Sequence, residues 1–181
     1  MIITYNEDLL RVKCEKVLPE EVGPLVFTLE SELNRSCKLG SQGIGLAASQ
    51  IGIAKDIAII RMGKDSKFNI NLINAKITKK FDSKIFRNEG CLSFPGRVED
   101  TLRYQEILIE NSLEHPNGFI ATGLLAVVCQ HEIDHLNGSL FMDRAVNKPN
   151  LSKLGPNDPC HCGKINPITG KIFKYKKCCG A

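Results

Sequence analysis

Leu25, Leu29, Leu33 and Cys37 recur every four residues. That spacing sets them along one side of a helix. It predicts a helix over PLVFTLESELNRSCKLG, opened by Pro24 in the first helical position and stopped at Gly40. The next stretch, GSQGIGLAASQIG, holds too much glycine to be one regular element throughout. DIAII (residues 56–60) and FNINLINAKITK (68–79) read as strands, as does VEDTLRYQEILIEN (98–111), with HPNG (115–118) as a turn. A second helix is expected over FIATGLLAVVCQHEIDHLNG (119–138), with Thr122 as its N-cap and Gly138 as its stop. Short strands, few helices and no alternation of strand with helix predict an α+β fold.

After Phe141 the pattern stops. NKPNLSKLGPNDP (147–159) is polar, carries three prolines and reads as a linker. The chain is therefore expected to hold a folded domain over 1–146, that linker, and a small tail over 160–181. Its 181 residues, 43% of them apolar, suffice for one core. MIITYNEDLL has no basic stretch ahead of an apolar run, so no secretory signal is read there. The longest weakly polar run, Gly118 to Cys129, is about half the roughly 20 residues needed to cross a bilayer. A cytoplasmic protein with no membrane association is the expectation.

Charge changes the picture only at the tail. The formal net charge is +4, but residues 160–181 hold Lys164, Lys171, Lys174, Lys176 and Lys177 and no acid. The remainder is slightly acidic and has no pull on nucleic acid, whereas the tail does. Cysteines cluster in the same place. Four of the eight, Cys160, Cys162, Cys178 and Cys179, lie in the last 22 residues. Without an export signal, such clustering points to metal rather than to disulfides. A C-x-C followed by a C-C offers four thiolates to one structural Zn2+, with His161 as an alternative donor, and a segment this small folds only around its metal. Cys14, Cys37 and Cys129 read as structural.

The second helix carries the chemistry. In VCQHEIDHLNG (128–138), His131 and His135 lie one turn apart on one face and can bind one metal, with Glu132 beside them as a candidate base. A third protein ligand is needed. No glutamate follows Glu132, and the extended zinc-protease motif would require a histidine where Phe141 stands. Upstream, RNEGCLSFPG offers the thiolate of Cys91. Two imidazoles and one thiolate are a coherent set that leaves a position for water. It suits Zn2+, Fe2+, Co2+ or Ni2+.

Three segments together, GIGLAASQ (43–50), EGCLS (89–93) and QHEIDHLNG (130–138), resemble the signature motifs of the peptide deformylases, in that family's order and near its spacing. The likeness covers roughly residues 1–145. It implies mainly antiparallel sheets packed around a central metal-binding helix. It also implies removal of the formyl group from N-formylmethionyl nascent peptides, releasing formate. By the same resemblance Cys91, His131 and His135 hold the metal, Fe2+ in the cell, with Zn2+, Ni2+ or Co2+ found in isolated members. A water held there attacks the formyl carbon, Glu132 is the general acid/base, and Gln50 and the Leu92 N–H stabilise the oxyanion. Ile44 and Gly45 meet the substrate main chain, and Ile44, Leu124 and Val128 line the methionine pocket. Arg97 and Arg103 are candidates to meet substrate carbonyls.

The chain departs from the family at Asn88, where an acid is frequent, and at Phe94, where valine or isoleucine is usual. It also lacks a long C-terminal helix and so resembles shorter, phage-encoded members. The tail's KYKKCCG resembles the SEC-C zinc motif, with INPITGKIF as an insert, and ribosomal RNA is its expected partner. A monomer is expected. The competing readings are a metalloprotease and a catalytically inactive binder of formyl peptides or ribosomes; an intact Glu132 and Gln50 argue against the inactive binder.

Overall fold

The first long helix begins six residues before the hydrophobic period does. In the computed structural model, which describes residues 1–63, 68–111 and 113–146 together with 156, 157 and 174, α1 spans Glu7–Leu10 and α2 spans Pro19–Lys38. Pro19, not Pro24, holds the first helical position. The Glu21 carboxylate accepts the Leu18 N–H at 2.8 Å, and Glu20 and Glu21 place negative charge in the first turn, where the helix dipole favours it. Pro24 sits inside the helix. Leu29 and Leu33 are buried, but Cys37 is exposed and Ser36 takes its place on the core side. Steps of four residues drift about 40° each on a helix of 3.6 residues per turn, so the ladder leaves the core face within three steps.

Two antiparallel three-stranded sheets follow. The first has β1 (Gly45–Ala47), β2 (Ile57–Ile60) and β3 (Ile70–Ile73) in chain order. Every residue of β2 is buried, as its unbroken apolar run requires. The second has β4 (Lys76–Gly90), β5 (Val98–Asn111) and β6 (His115–Thr122), again in order. FNINLINAKITK is therefore two strands in different sheets. The break falls at Asn74, which takes φ 52° and exchanges two hydrogen bonds with the Val17 backbone, Oδ1 accepting at 2.8 Å and Nδ2 donating at 3.0 Å. HPNG lies inside β6, with His115 paired to Asn111, and the turn comes earlier, at Leu113 and Glu114.

The last helix, α3, spans Gly123–Leu136; the residues FIAT expected in its first turn end β6 instead. Thr122 occupies the N-cap with an extended backbone, but its side chain makes no capping bond. The other end closes as expected. Gly138 takes φ 71°, its N–H reaches His135 O at 3.1 Å, and Ser139 N–H reaches Asp134 O at 2.9 Å, a Schellman pair. Ten of the helix's residues are buried, and it packs against β1, β2, β5 and β6. Gln130 pins it to β5 through both the N–H and the carbonyl of Tyr104, at 3.0 and 2.8 Å. The fold is α+β, with the sheets gathered on this helix. No described helix is long and apolar enough to cross a membrane. The chain divides into two units, Met1–Ala145 and Val146–Ala181; all the elements named here lie in the first. Cys160, Cys162, Cys178 and Cys179 lie outside the described residues.

Candidate metal centre

β4 delivers Glu89 and, one residue past its end, Cys91; α3 delivers His131, Glu132 and His135. The strand reaches the centre through an irregularity. Register against β5 shifts between Phe86 and Glu89, and Asn88 there takes φ 55°, a region asparagine enters more readily than most residues. Glu89 is thereby turned inward and is 4% exposed, while Asn88 and Gly90 stay at the surface.

Cys91 Sγ lies 3.2 Å from His135 Nε2. One ligand atom from each of Cys91, His131 and His135 falls within 4.8 Å of the others. The two imidazole rings are 4.9 Å apart at 72°. His131 Nδ1 donates to Glu89 Oε1 at 2.6 Å, which fixes the tautomer and leaves Nε2, on the Cys91 side, as the ligating nitrogen. Two imidazoles and one thiolate, with one tautomer fixed from outside, fit a divalent transition metal.

Sequence reasoning missed what holds Glu89. Arg103 grips it twice, Nε to Oε2 at 2.8 Å and Nη2 to Oε1 at 2.6 Å, and the Thr101 hydroxyl donates to Oε2. Burial works to raise the Glu89 carboxyl, but the hydrogen bonds from His131 and Arg103 outweigh it and hold the group at about 2. Arg103 is 2% exposed. Fully enclosed and spent on Glu89 and Asp134, it does not meet substrate; that expectation fails. Arg97 lines the cavity described below and pairs with Glu99 at 3.0 Å.

Glu132 is buried beside the imidazoles. Burial pushes its carboxyl up to about 7 against the opposing charge of His131. Its Oε2 and His135 Nδ1 are buried side-chain atoms with no partner among the described residues. Gln50, in the 3-10 turn Ala48–Ile51, is 1% exposed. Its Oε1 accepts the Ala47 N–H at 2.9 Å, which aims Nε2 at Ser93 Oγ (3.1 Å) and Cys91 Sγ (3.5 Å). The Leu92 N–H donates to no acceptor among the described residues.

A cavity of about 370 Å³ opens on this centre, with Ile44, Leu124 and Val128 on its apolar side and Cys91, His131 and Glu132 on its polar side. Val128 is buried, whereas Ile44 and Leu124 are half-exposed at the mouth. Gly43 and Gly45 border it, and their missing side chains make room for the protein's own groups: a Cβ would lie 2.4 Å from Leu92 Cδ1 at Gly43 and 2.3 Å from Glu132 Oε1 at Gly45. Phe141 packs its ring 6.1 Å from that of His131.

Residues 1–150 match the family model for polypeptide deformylase. The peptide deformylase of Picosynechococcus sp. is 39% identical over 152 residues, 81% of this chain and 79% of the relative. That of Syntrophomonas wolfei is 37% identical over 147 residues, covering 80% and 92%. Among solved structures, a peptide deformylase from Synechococcus elongatus in complex with actinonin is similar with a TM-score of 0.71 at 31% identity, covering 82% of this chain and 81% of that one. The PDF from the Vibrio parahaemolyticus bacteriophage VP16T in complex with actinonin gives 0.66 at 32%, covering 77% and 98%. A family model that spans most of the chain, and relatives this similar over most of their own length, settle the affiliation: the chain belongs to the peptide deformylase family.

Proposed function

We propose that Glu132 carries the proton in this chain's reaction. Membership of the family makes the chain a metal-dependent hydrolase that removes the N-formyl group from nascent peptides. A divalent ion held by Cys91, His131 and His135 supplies Lewis-acid polarisation and brings the pKa of water towards neutrality. The chain's own groups do the rest. Glu132 accepts a proton from the attacking water as its oxygen bonds to the formyl carbon. It returns that proton to the amide nitrogen as the C–N bond breaks, leaving formate and a free α-amine. Burial raises this carboxyl above the ordinary carboxylate range, which favours its taking up a proton and giving it back. Gln50 Nε2 and the Leu92 N–H donate to the oxygen on which charge develops, a role typically worth about 2.7–4 kcal/mol per donor. Ile44 and Gly45 hold the substrate backbone, and Ile44, Leu124 and Val128 receive the methionine side chain.

The ion in this reading is Fe2+, with Zn2+, Ni2+ or Co2+ accepted by the same donors. Residues 1–146 form the catalytic domain and 147–159 the linker. In the tail Cys160, Cys162, Cys178 and Cys179 hold one structural Zn2+, and its lysines dock on ribosomal RNA. The chain works as a monomer in the cytoplasm. Deleting the tail reduces pelleting with ribosomes; unchanged pelleting removes the docking role.

The observation that carries the reading is the convergence of three donor atoms within 4.8 Å beside an unpartnered Glu132 Oε2. Protein purified without oxygen is expected to carry one ion at this centre and to release formate from formyl-Met-Ala-Ser, and Glu132→Gln to bind that peptide without turning it over. Casein cleavage without formate release would make it a protease instead.

A further inference from the structure

The 3-10 turn Phe141–Arg144, next after α3, returns to the metal centre from behind. Asp143 is clamped there by Arg11, Nη1 to Oδ2 at 2.8 Å and Nη2 to Oδ1 at 3.0 Å, and its Oδ2 also accepts the Leu140 N–H at 2.9 Å. Ala145 bridges to Thr101, the residue whose hydroxyl donates to Glu89. So held, the turn presents Arg144 to Asp134: Nη2 to Oδ1 at 2.7 Å and Nε to Oδ2 at 3.1 Å.

Asp134 is also where the third nitrogen of Arg103 goes, Nη1 to Oδ2 at 2.6 Å. The result is a row of alternating charge, Glu89, Arg103, Asp134, Arg144, in which only the last is substantially exposed, at 46% of its side chain. Each charge in such a row is divided between its neighbours. Asp134 is 13% exposed and has two cations. With Arg144 gone it has one, and the buried guanidinium of Arg103 must then neutralise two carboxylates by itself. Whatever draws Arg103 towards Asp134 draws it from Glu89, and Glu89 is the group that accepts the His131 Nδ1 proton.

We propose that Arg144 is a positioning residue for the metal centre: acting through Asp134, it keeps Arg103 committed to Glu89 and so holds His131 in its ligating orientation. The proposal rests on the reading that Cys91, His131 and His135 hold the ion. Arg144 touches neither the ion nor substrate. Its guanidinium matters as a fork, because both carboxylate oxygens of Asp134 are engaged at once.

The test uses the zinc-loaded full chain labelled with 15N at histidine. One readout is the resonance of the His131 Nδ1 proton, which reports its bond to Glu89. The other is the rate at which the metal-bound His131 and His135 signals vanish under excess chelator, which is specific to this centre whatever the tail binds. In Arg144→Met the His131 proton resonance should move and the chelation rate should rise about tenfold, the low end of the range for outer partners of metal ligands. Arg144→Lys, keeping the charge but not the fork, should recover part of both. Once Asp134→Asn has removed the partner, adding Arg144→Met should change neither readout further; should the Asp134→Asn chain not fold, the comparison of Arg144→Met with Arg144→Lys decides. A resonance or a chelation rate unchanged in Arg144→Met overturns the proposal, even if its melting temperature falls. Absence of metal-bound His131 and His135 signals in the unsubstituted chain would overturn the metal reading along with it.

Discussion

Gly45 faces Glu132: a Cβ on the former would stand 2.3 Å from Oε1 of the latter. No such contact is tolerated, so one of the two must move. Gly45 lies in β1 with an ordinary extended backbone, which alanine also adopts. The yielding partner is therefore the carboxylate, whose end is free to swing. Gly45→Ala should lower the rate of formate release about 100-fold, the usual consequence of misplacing a reacting group by about 1 Å, while the stability changes by less than about 1 kcal/mol. Formate kinetics and urea unfolding on the same sample check both halves, and full activity would mean that Glu132 does not need that position.

Glu89→Gln keeps the shape of the side chain and removes its charge. Arg103 then faces an amide nitrogen with one of its donors and is left under-neutralised at 2% exposure. Breaking a buried pair from one side costs about 3–5 kcal/mol. His131 loses its carboxylate anchor at the same time, so the metal dissociation constant should rise about 10–100-fold. Urea unfolding and equilibrium dialysis against zinc measure the two effects, and a variant as stable and as well metallated as the parent would show that the Glu89 bonds are incidental.

Gly138 closes α3 three residues after His135, with φ 71°, and a Cβ there would lie 2.7 Å from the Arg11 carbonyl oxygen. Neither term is relieved by rotating a side chain, because the obstacle is backbone. Gly138→Ala should lose roughly 1–3 kcal/mol in chemical unfolding. A loss below a few tenths would show that the end of the helix can rearrange freely.

How legible each feature is in the sequence depends on how far its signal travels along the chain. His131 and His135 are four apart on a helix, so their convergence is local and legible. Cys91 emerged because the alternative third ligands were missing from the sequence. Glu89 and Arg103 stayed hidden because their pairing runs across two strands. Yet Arg103 shares its strand parity with Thr101, Ile107 and Ile109, all buried, and an arginine on an inward face must have a carboxylate waiting. The apolar ladder places the start of α2 too late because the turn chemistry of Leu18–Glu21 precedes it. HPNG misled because the chain had already turned, at Leu113 and Glu114, before reaching it.

Asp56 supplies a pH dependence remote from the metal centre. Its carboxylate has no hydrogen-bond or ion-pair partner among the described residues, and burial pushes its pKa up to about 6, with Lys76 and Lys16 opposing from a distance. The unfolded chain releases the same proton at about 3.9. Between those values the folded protein binds more protons than the unfolded one, so rising pH erodes stability through this group, and above about pH 6 the loss is complete. Asp56→Asn cannot ionise and escapes the loss. The variant should match the parent in melting temperature below about pH 4, pull ahead between pH 4 and 6, and keep a constant lead above that. Allowing for solvent screening of a partly exposed group, the lead is of order 1 kcal/mol, or about 2–4 °C for a chain of this size. Differential scanning calorimetry of both proteins from pH 3.5 to 8 reads it directly; a lead that is already present at pH 3.5, or that shrinks as pH rises, would show that Asp56 is not held in its acid form by burial.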